Sequence, residues 1–333
     1  MRRGLMACLL WPLSLLFRLL VACRLVLYRL GVLKSGRAPV PVIVVGNIYV
    51  GGTGKTPLTI WLVDALQRAG YVPGVVSRGH GVQNNGPVAV TSASAPQQVG
   101  DEPVLIAQRA HCPLMVGRNR LAAAQALLSL HPQVNVIVSD DGLQHYALQR
   151  DIEIVLFDAR GRGNGWLLPA GPLREPASRR RDFTVINAAS RTPDWPDAAV
   201  QMRLAGSVAE HLQDRSQVMP LASLAQSSDP EARGRRIAAA AGIGHPERFF
   251  GMLRDAGLTF DRIPLPDHFD FNEFSFYGVA ADVILITEKD AVKCQHIAAL
   301  RDDLRLWVVP VTAHLDSVLI EQIVEKLRGH PTA

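Results

Sequence analysis

The chain has 333 residues, 48% apolar and 20% charged, enough to bury a sizeable core and too apolar for a disordered chain. Its net charge of +5 is uneven: residues 1–37 carry seven basic side chains and no acid, so the remainder sums to −2. The basic charge therefore comes from the N-terminal segment and not from the globular body, which argues against nucleic acid as a partner and favours an anionic membrane surface. The four cysteines, Cys8, Cys23, Cys112 and Cys294, fit neither a metal-ligand spacing nor a disulfide framework.

The first element in chain order is the uncharged run 4–17, GLMACLLWPLSLLF. It is shorter than the roughly 20 residues of a spanning helix. A signal peptide competes, but Arg18, Arg24 and Arg29 follow and no small-x-small cleavage site appears. We read residues 1–35 as an interfacial helix, apolar side in the acyl boundary and arginines at the headgroups.

Val42–Val45 reads as a buried strand, followed by a Gly-rich loop and a helix from about Thr56 to Ala69. Val72–Ser77 reads as a strand and Gly79–Thr91 as a turn-rich stretch with room for a hairpin. Gly100–Ala110 reads as a helix, Pro113–Val116 as a strand, Arg118–Leu130 as a helix and Val134–Val138 as a strand. Ile152–Phe157 and Phe183–Ile186 are further strands. Such alternation predicts an α/β fold with a parallel sheet covered by helices on both faces. Periodicity fades over 206–234, where a linker is expected. It resumes with strands at Ile237–Ala241, Val283–Ile286 and Leu306–Val309 and helices at Pro246–Ala256 and Ser317–Leu327. This predicts a core over 36–212 and a smaller α/β lobe over 213–333, with a ligand cleft between them.

The strongest chemical signal is Gly46-Asn-Ile-Tyr-Val-Gly-Gly-Thr-Gly-Lys-Thr56, between a strand and a helix. This is the context of a nucleotide-binding P-loop. Gly51, Gly52, Thr53 and Gly54 let backbone N–H groups approach phosphate oxygens, Lys55 reaches the β- and γ-phosphates, and Thr56 binds Mg²⁺. Tyr49 stands where the first Gly of G-x-x-x-x-G-K-[ST] is expected, and Gly51 and Gly52 supply the flexibility. Asp140 and Asp141 end an apolar strand, the position of a Mg²⁺-binding carboxylate in P-loop enzymes.

Other strings are ambiguous alone. Gly100-Asp-Glu-Pro103 is either a helix start or a source of a base or metal partner in Asp101 or Glu102. His268, in Asp267-His-Phe, is either a solvated loop histidine or a group brought to the nucleotide by lobe closure. The Gly/Pro-rich loop 161–175 holds Arg162, Arg174 and Glu175, and long loops of this kind are uncommon unless functional.

Together these strings resemble the tetraacyldisaccharide 4'-kinase family. The resemblance rests on V-G-N-x-x-x-G-G-T-G-K-T-P at 45–57, S-R-G at 77–79, G-D-E-P at 100–103 and D-D-G-x-Q-H at 140–145. It continues with L-L-P-A-G-P-L-R-E at 167–175, D-H-F at 267–269 and T-E-K-D-A-V-K at 287–293. It implies a two-lobed P-loop kinase on the cytosolic face of a bacterial inner membrane. ATP and Mg²⁺ would phosphorylate the 4'-hydroxyl of a tetraacylated glucosamine disaccharide 1-phosphate, giving the 1,4'-bisphosphate. The resemblance makes Asp101 the base and His268 its partner, with Lys55 on the phosphates. Thr56, Asp140, Asp141 and Glu102 become metal candidates, and Asn47, Arg78, Arg174, Glu175, Gln144 and His145 substrate contacts. The competing reading is a P-loop switch or partitioning ATPase with no small-molecule acceptor. Val50, where such ATPases carry Lys, and the long 161–175 loop count against it.

Overall fold

A computed structural model describes residues 3–79, 86–192, 195–225, 235–272 and 274–329. In chain order the elements are α1 Leu5–Leu9, α2 Trp11–Arg29, β1 Val42–Gly46, α3 Lys55–Arg68, β2 Pro73–Ser77, β3 Val88–Val90, α4 Pro96–Val99 and α5 Asp101–Ala110. They continue with β4 Leu114–Val116, α6 Arg120–Leu130, β5 Val136–Asp140, β6 Ile152–Asp158, β7 Phe183–Asn187, β8 Val200–Ala205, β9 Val208–His211 and β10 Val218–Pro220. The rest are β11 Ile237–Ala241, α7 Pro246–Asp255, β12 Asp261–Pro264, β13 Val283–Thr287, α8 Glu288–Cys294, α9 Ala298–Arg301, β14 Leu306–Val309, β15 Thr312–Leu315 and α10 Val318–Arg328.

Two sheets organise the described residues. The larger runs β15-β8-β7-β6-β1-β5-β2-β4-β3 and the smaller β10-β9-β14-β13-β11-β12. From β8 to β4 every neighbouring pair of the larger sheet is parallel, and β15 and β3 add antiparallel edges. β1, β2 and β5 are buried along their whole length, as continuous apolar runs in a covered parallel sheet must be. β1 lies between β5 and β6, and Val45 pairs with Asp140. The loops after β1 and β5 therefore leave the same sheet edge side by side, the usual ligand position in an open α/β sheet.

α3 packs on this sheet through Leu58, Leu62 and Leu66, each four residues on and fully buried. Leu62→Ala is expected to destabilise the protein by about 2–5 kcal/mol, read as a lower urea midpoint with an unchanged slope.

The lobe boundary needs correcting. A single division between 212 and 213 fails at both ends. β9 already belongs to the second sheet, whereas β15 pairs with β8 of the first and α10 packs on α3. The chain crosses at Gly206–Ser207 and returns at Pro310–Val311. The crossings touch, since a Cβ on Gly206 would lie 2.7 Å from the Pro310 carbonyl oxygen. The expected linker also holds β9, β10 and a 3-10 turn at Leu221–Leu224; its part over 226–234 lies outside the described residues. The hairpin expected in Gly79–Thr91 likewise falls partly outside them; β3 is its described strand.

α2 lies along the first lobe. Ser14 Oγ donates to the Leu167 carbonyl at 2.8 Å. Trp11 meets Trp166 at 6.4 Å, and Tyr28 meets Tyr146 at 5.7 Å, between ring centroids. The contacts run from one end of the helix to the other. Leu5, Met6, Leu9, Leu13, Leu16 and Leu20 are left exposed. The helix is long and apolar enough to cross a membrane, but one side is fastened to the body.

Candidate active site

The phosphate loop is braced from inside by Asn47, which is fully buried. Its Nδ2 donates to Thr53 Oγ1 at 2.8 Å and to the Gly51 carbonyl at 3.2 Å. Its Oδ1 accepts from Lys55 Nζ at 3.5 Å and from Arg174 Nη2. Gly51 and Gly54 have φ of 97° and 101°, values that L side chains rarely adopt, so glycine is required there. Tyr49 departs from the glycine pattern because this part of the loop is paired: Val50 N donates to Pro172 O, and Arg174 N to Ile48 O. The Tyr49 ring is buried under the Arg160 guanidinium, 4.1 Å from the ring centroid. The long 161–175 loop thus forms one wall of the phosphate loop.

Asp140 and Asp141 stand at the adjacent strand end. Asp140 is buried and accepts from Thr59 Oγ1 at 3.1 Å and Ser77 Oγ at 3.3 Å. Burial first, then the charges of Glu102 and Asp141, push its carboxyl up to about 7 against the pull of Lys55 and Thr59. Asp141 is more open, 3.7 Å from Lys55 Nζ and 3.5 Å from Arg174 Nη2. Crowded carboxylates beside Lys55 are a site where a cation relieves repulsion. Among the described residues, no three His, Cys, Asp or Glu side chains converge into a protein-only metal cage.

Glu175 is buried and accepts from Gln144 Nε2 at 2.9 Å, Tyr146 Oη at 2.7 Å and Arg179. Gln144 reaches on to the Asn47 carbonyl at 3.5 Å. Asn47, Gln144, Arg174 and Glu175 therefore form one connected wall. His145 does not join it: its Nε2 accepts from the Arg120 backbone N–H at 3.3 Å, at the start of α6. Burial, then the charges of Arg120, Arg150, Arg24 and Arg78, push the ring down to about 4. Arg78 is exposed and contributes to that positive field.

Because His145 titrates lower folded than unfolded, the unfolded chain binds the extra proton between about 6.5 and 4. Stability should fall as pH drops through that window. His145→Gln should flatten this part of the curve in urea titrations; an unchanged slope would remove His145 as its source.

The second lobe contributes across the cleft. His268 Nδ1 lies 3.0 Å from Asp101 Oδ2, joining the loop after β12 to the first turn of α5. A carboxylate only accepts, so Nδ1 carries the proton. Burial pushes the Asp101 carboxyl up, but the His268 hydrogen bond and the Lys289, His268 and Lys293 charges outweigh it and hold it at about 2. The same hydrogen bond raises His268. Nearby, Arg248 of α7 meets the buried Asp158 at 2.8 Å. A Cβ on Gly244 would lie 3.2 Å from Gly52 N, so the second lobe reaches the phosphate loop itself.

The family described as tetraacyldisaccharide-1-P 4'-kinase matches residues 6–328. The chain belongs to this family. It is 64% identical over 332 residues to the tetraacyldisaccharide 4'-kinase of Janthinobacterium sp. (strain Marseille), covering 100% of this chain and 95% of that protein. It is 61% identical over 339 residues to that of Herminiimonas arsenicoxydans, with the same coverage. A solved structure of LpxK from Aquifex aeolicus in complex with ATP superposes with a TM-score of 0.79 at 26% identity, covering 97% of this chain and all of that one. The P-loop kinase fold and lipid A kinase activity read from the sequence are those of tetraacyldisaccharide 4'-kinases.

Glu102, a metal candidate in the sequence reading, is engaged by Lys289, 3.1 Å away, so its charge partner here is an ammonium. Two further features of this kinase carry no role in the sequence reading. Arg179 is buried between Glu175 and Glu153, the latter at 2.5 Å, and fixes Glu175. Lys289 and Lys293 of α8 stand on the Asp101–His268 pair. Their only sequence signal is T-E-K-D-A-V-K, a match without a mechanism until the lobes are seen together.

Proposed function

We propose that this chain transfers the γ-phosphoryl group of ATP to the 4'-hydroxyl of a tetraacylated glucosamine disaccharide 1-phosphate, at the cytosolic surface of the bacterial inner membrane. The supporting observation is the juxtaposition across one cleft: a phosphate loop with Lys55 and two carboxylates on one lobe, and Asp101 closed by His268 of the other.

Lys55 and the amides of 51–54 hold the β- and γ-phosphates, and Arg174 adds positive charge beside Asp141. Thr56 with Asp140 or Asp141 would hold Mg²⁺, which when bound neutralises charge on the transferring group. Asp101 accepts the hydroxyl proton. A carboxylate held at about 2 is a weak base, but in phosphoryl transfer aim and timing of the proton's departure matter more than basicity. His268 fixes that aim. Closure of the second lobe excludes water, which limits wasteful hydrolysis.

The exposed leucines of α1 and α2 suit the acyl boundary, while the body-facing side fixes the site beside the membrane. The substrate's acyl chains then stay in the bilayer. Leu16→Glu/Leu20→Glu should cut sedimentation with anionic vesicles by about tenfold and leave thermal unfolding unchanged. Undiminished sedimentation would mean that another surface holds the membrane.

The deciding assay is γ-labelled ATP with Mg²⁺ and tetraacyldisaccharide 1-phosphate in mixed micelles. Labelled bisphosphate lipid is expected. ATP hydrolysis indifferent to acceptor would instead favour the switch ATPase.

A further inference from the structure

We propose that Lys289 is a positioning residue for phosphoryl transfer, holding the His268 ring on Asp101 by bridging the two lobes. This rests on the Asp101–His268 reading above.

His268 needs holding. Its φ is 58°, a left-handed value that is strained for a non-glycine residue and persists only where surroundings enforce it. On the first lobe its ring meets Asp101. Lys289 Nζ lies 3.4 Å from His268 Nε2, 3.6 Å from Asp267 Oδ1 and 3.1 Å from Glu102 Oε1. Asp267 Oδ1 in turn accepts the His268 backbone N–H at 3.1 Å. One ammonium therefore touches the ring, the carboxylate that fixes the ring's backbone, and the residue next to Asp101 in α5.

The tautomer follows from the same contact. An ammonium only donates, so Nε2 accepts from Lys289 and the proton sits on Nδ1, facing Asp101. Loss of Lys289 frees the ring to flip or to take the other tautomer, and Asp101 then loses its donor. Lys293, one turn later on the same face of α8, completes the arrangement: Nζ is 3.8 Å from Asp101 Oδ2 and 2.9 Å from the Phe269 carbonyl oxygen. α8 is itself pinned to α5, because Glu288 accepts from Arg109 and from Val311 N at 2.9 Å, at the return crossing.

The test is a double-mutant cycle on the full-length protein in the mixed-micelle assay: Lys289→Met, His268→Ala and the two combined, beside Asp101→Asn. Lys289→Met should lower kcat about 10- to 100-fold with the ATP KM within about threefold, since a misaimed group loses rate more than binding. In the His268→Ala background it should cost less than about threefold further, because Lys289 then has no ring to hold. An unchanged kcat in Lys289→Met, or two losses that multiply in full, would overturn the proposal. Lys289→Gln, uncharged but still a donor, repeats the cycle if the Met variant unfolds early. If His268→Ala and Asp101→Asn both keep the wild-type kcat, the dyad reading itself fails, an outcome distinct from a full-effect dyad with an independent Lys289.

Discussion

Lys55→Ala should lower kcat/KM for phosphoryl transfer by about 10³-fold or more and shift the thermal midpoint by only a few degrees. Lys55 opens α3 and projects to Asn47 Oδ1 and Asp141 Oδ1, at 3.5 and 3.7 Å, so its ammonium sits between the loop and the carboxylate strand end. Phosphate oxygens arriving there meet the charge that compensates them as the bond breaks. No apolar packing depends on the ammonium, so the fold survives its loss. Arg174 meets the same Asn47 and Asp141 oxygens but reaches them from the 161–175 loop, so it adds charge without replacing the ammonium at the start of α3. Transfer within tenfold of wild type, at saturating ATP and acceptor, would place the phosphates elsewhere.

Asp101→Asn should lower kcat by about 10²- to 10⁴-fold and leave the ATP KM nearly unchanged. The variant keeps the shape but gives up the carboxylate that meets His268 across the cleft. It should also lose stability in a pH-dependent way. The folded carboxyl titrates near 2, below its ordinary 3.8, so it contributes about 2 kcal/mol at neutral pH. That contribution is present above about 3.8 and is lost as pH falls towards 2. Urea midpoints of wild type and variant should therefore draw together on acidification. A constant gap from pH 7 to pH 2.5 would mean that the carboxylate's charge is not what stabilises this corner.

Much of this was legible in the residues, for a physical reason. β1, β5, β11 and β13 are buried on both faces, so their apolar runs survive as plain signals, and the phosphate loop announces itself by glycines whose φ no other residue holds cheaply. β8, β12 and β15 were missed because strands at a sheet edge, or next to one, keep one face wet: Gln201, Arg203, Arg262 and His314 interrupt them. Missing β15 put the lobe boundary in the wrong place, since nothing local to residues 312–328 says which sheet they join. Gln144 and His145 show the same limit at the site. They are adjacent in sequence, yet one meets Glu175 and the other the start of α6. Lys289 was invisible as a functional group because its three partners lie at 102, 267 and 268.

The paired crossings at 206–207 and 310–311 have a consequence for biosynthesis. β15 and α10 finish a sheet whose first strand was made about 270 residues earlier. Until residues 312–328 leave the ribosome, β8 is an open edge and one face of α3 is bare. The whole second lobe can fold in the meantime, because its strands lie between the two crossings. The exposed leucines of α1 and α2 are translated long before either. The accessory lobe can thus fold first and the nucleotide-binding lobe is sealed last, so that a complete phosphate-binding lobe arises only once the final helix has been made.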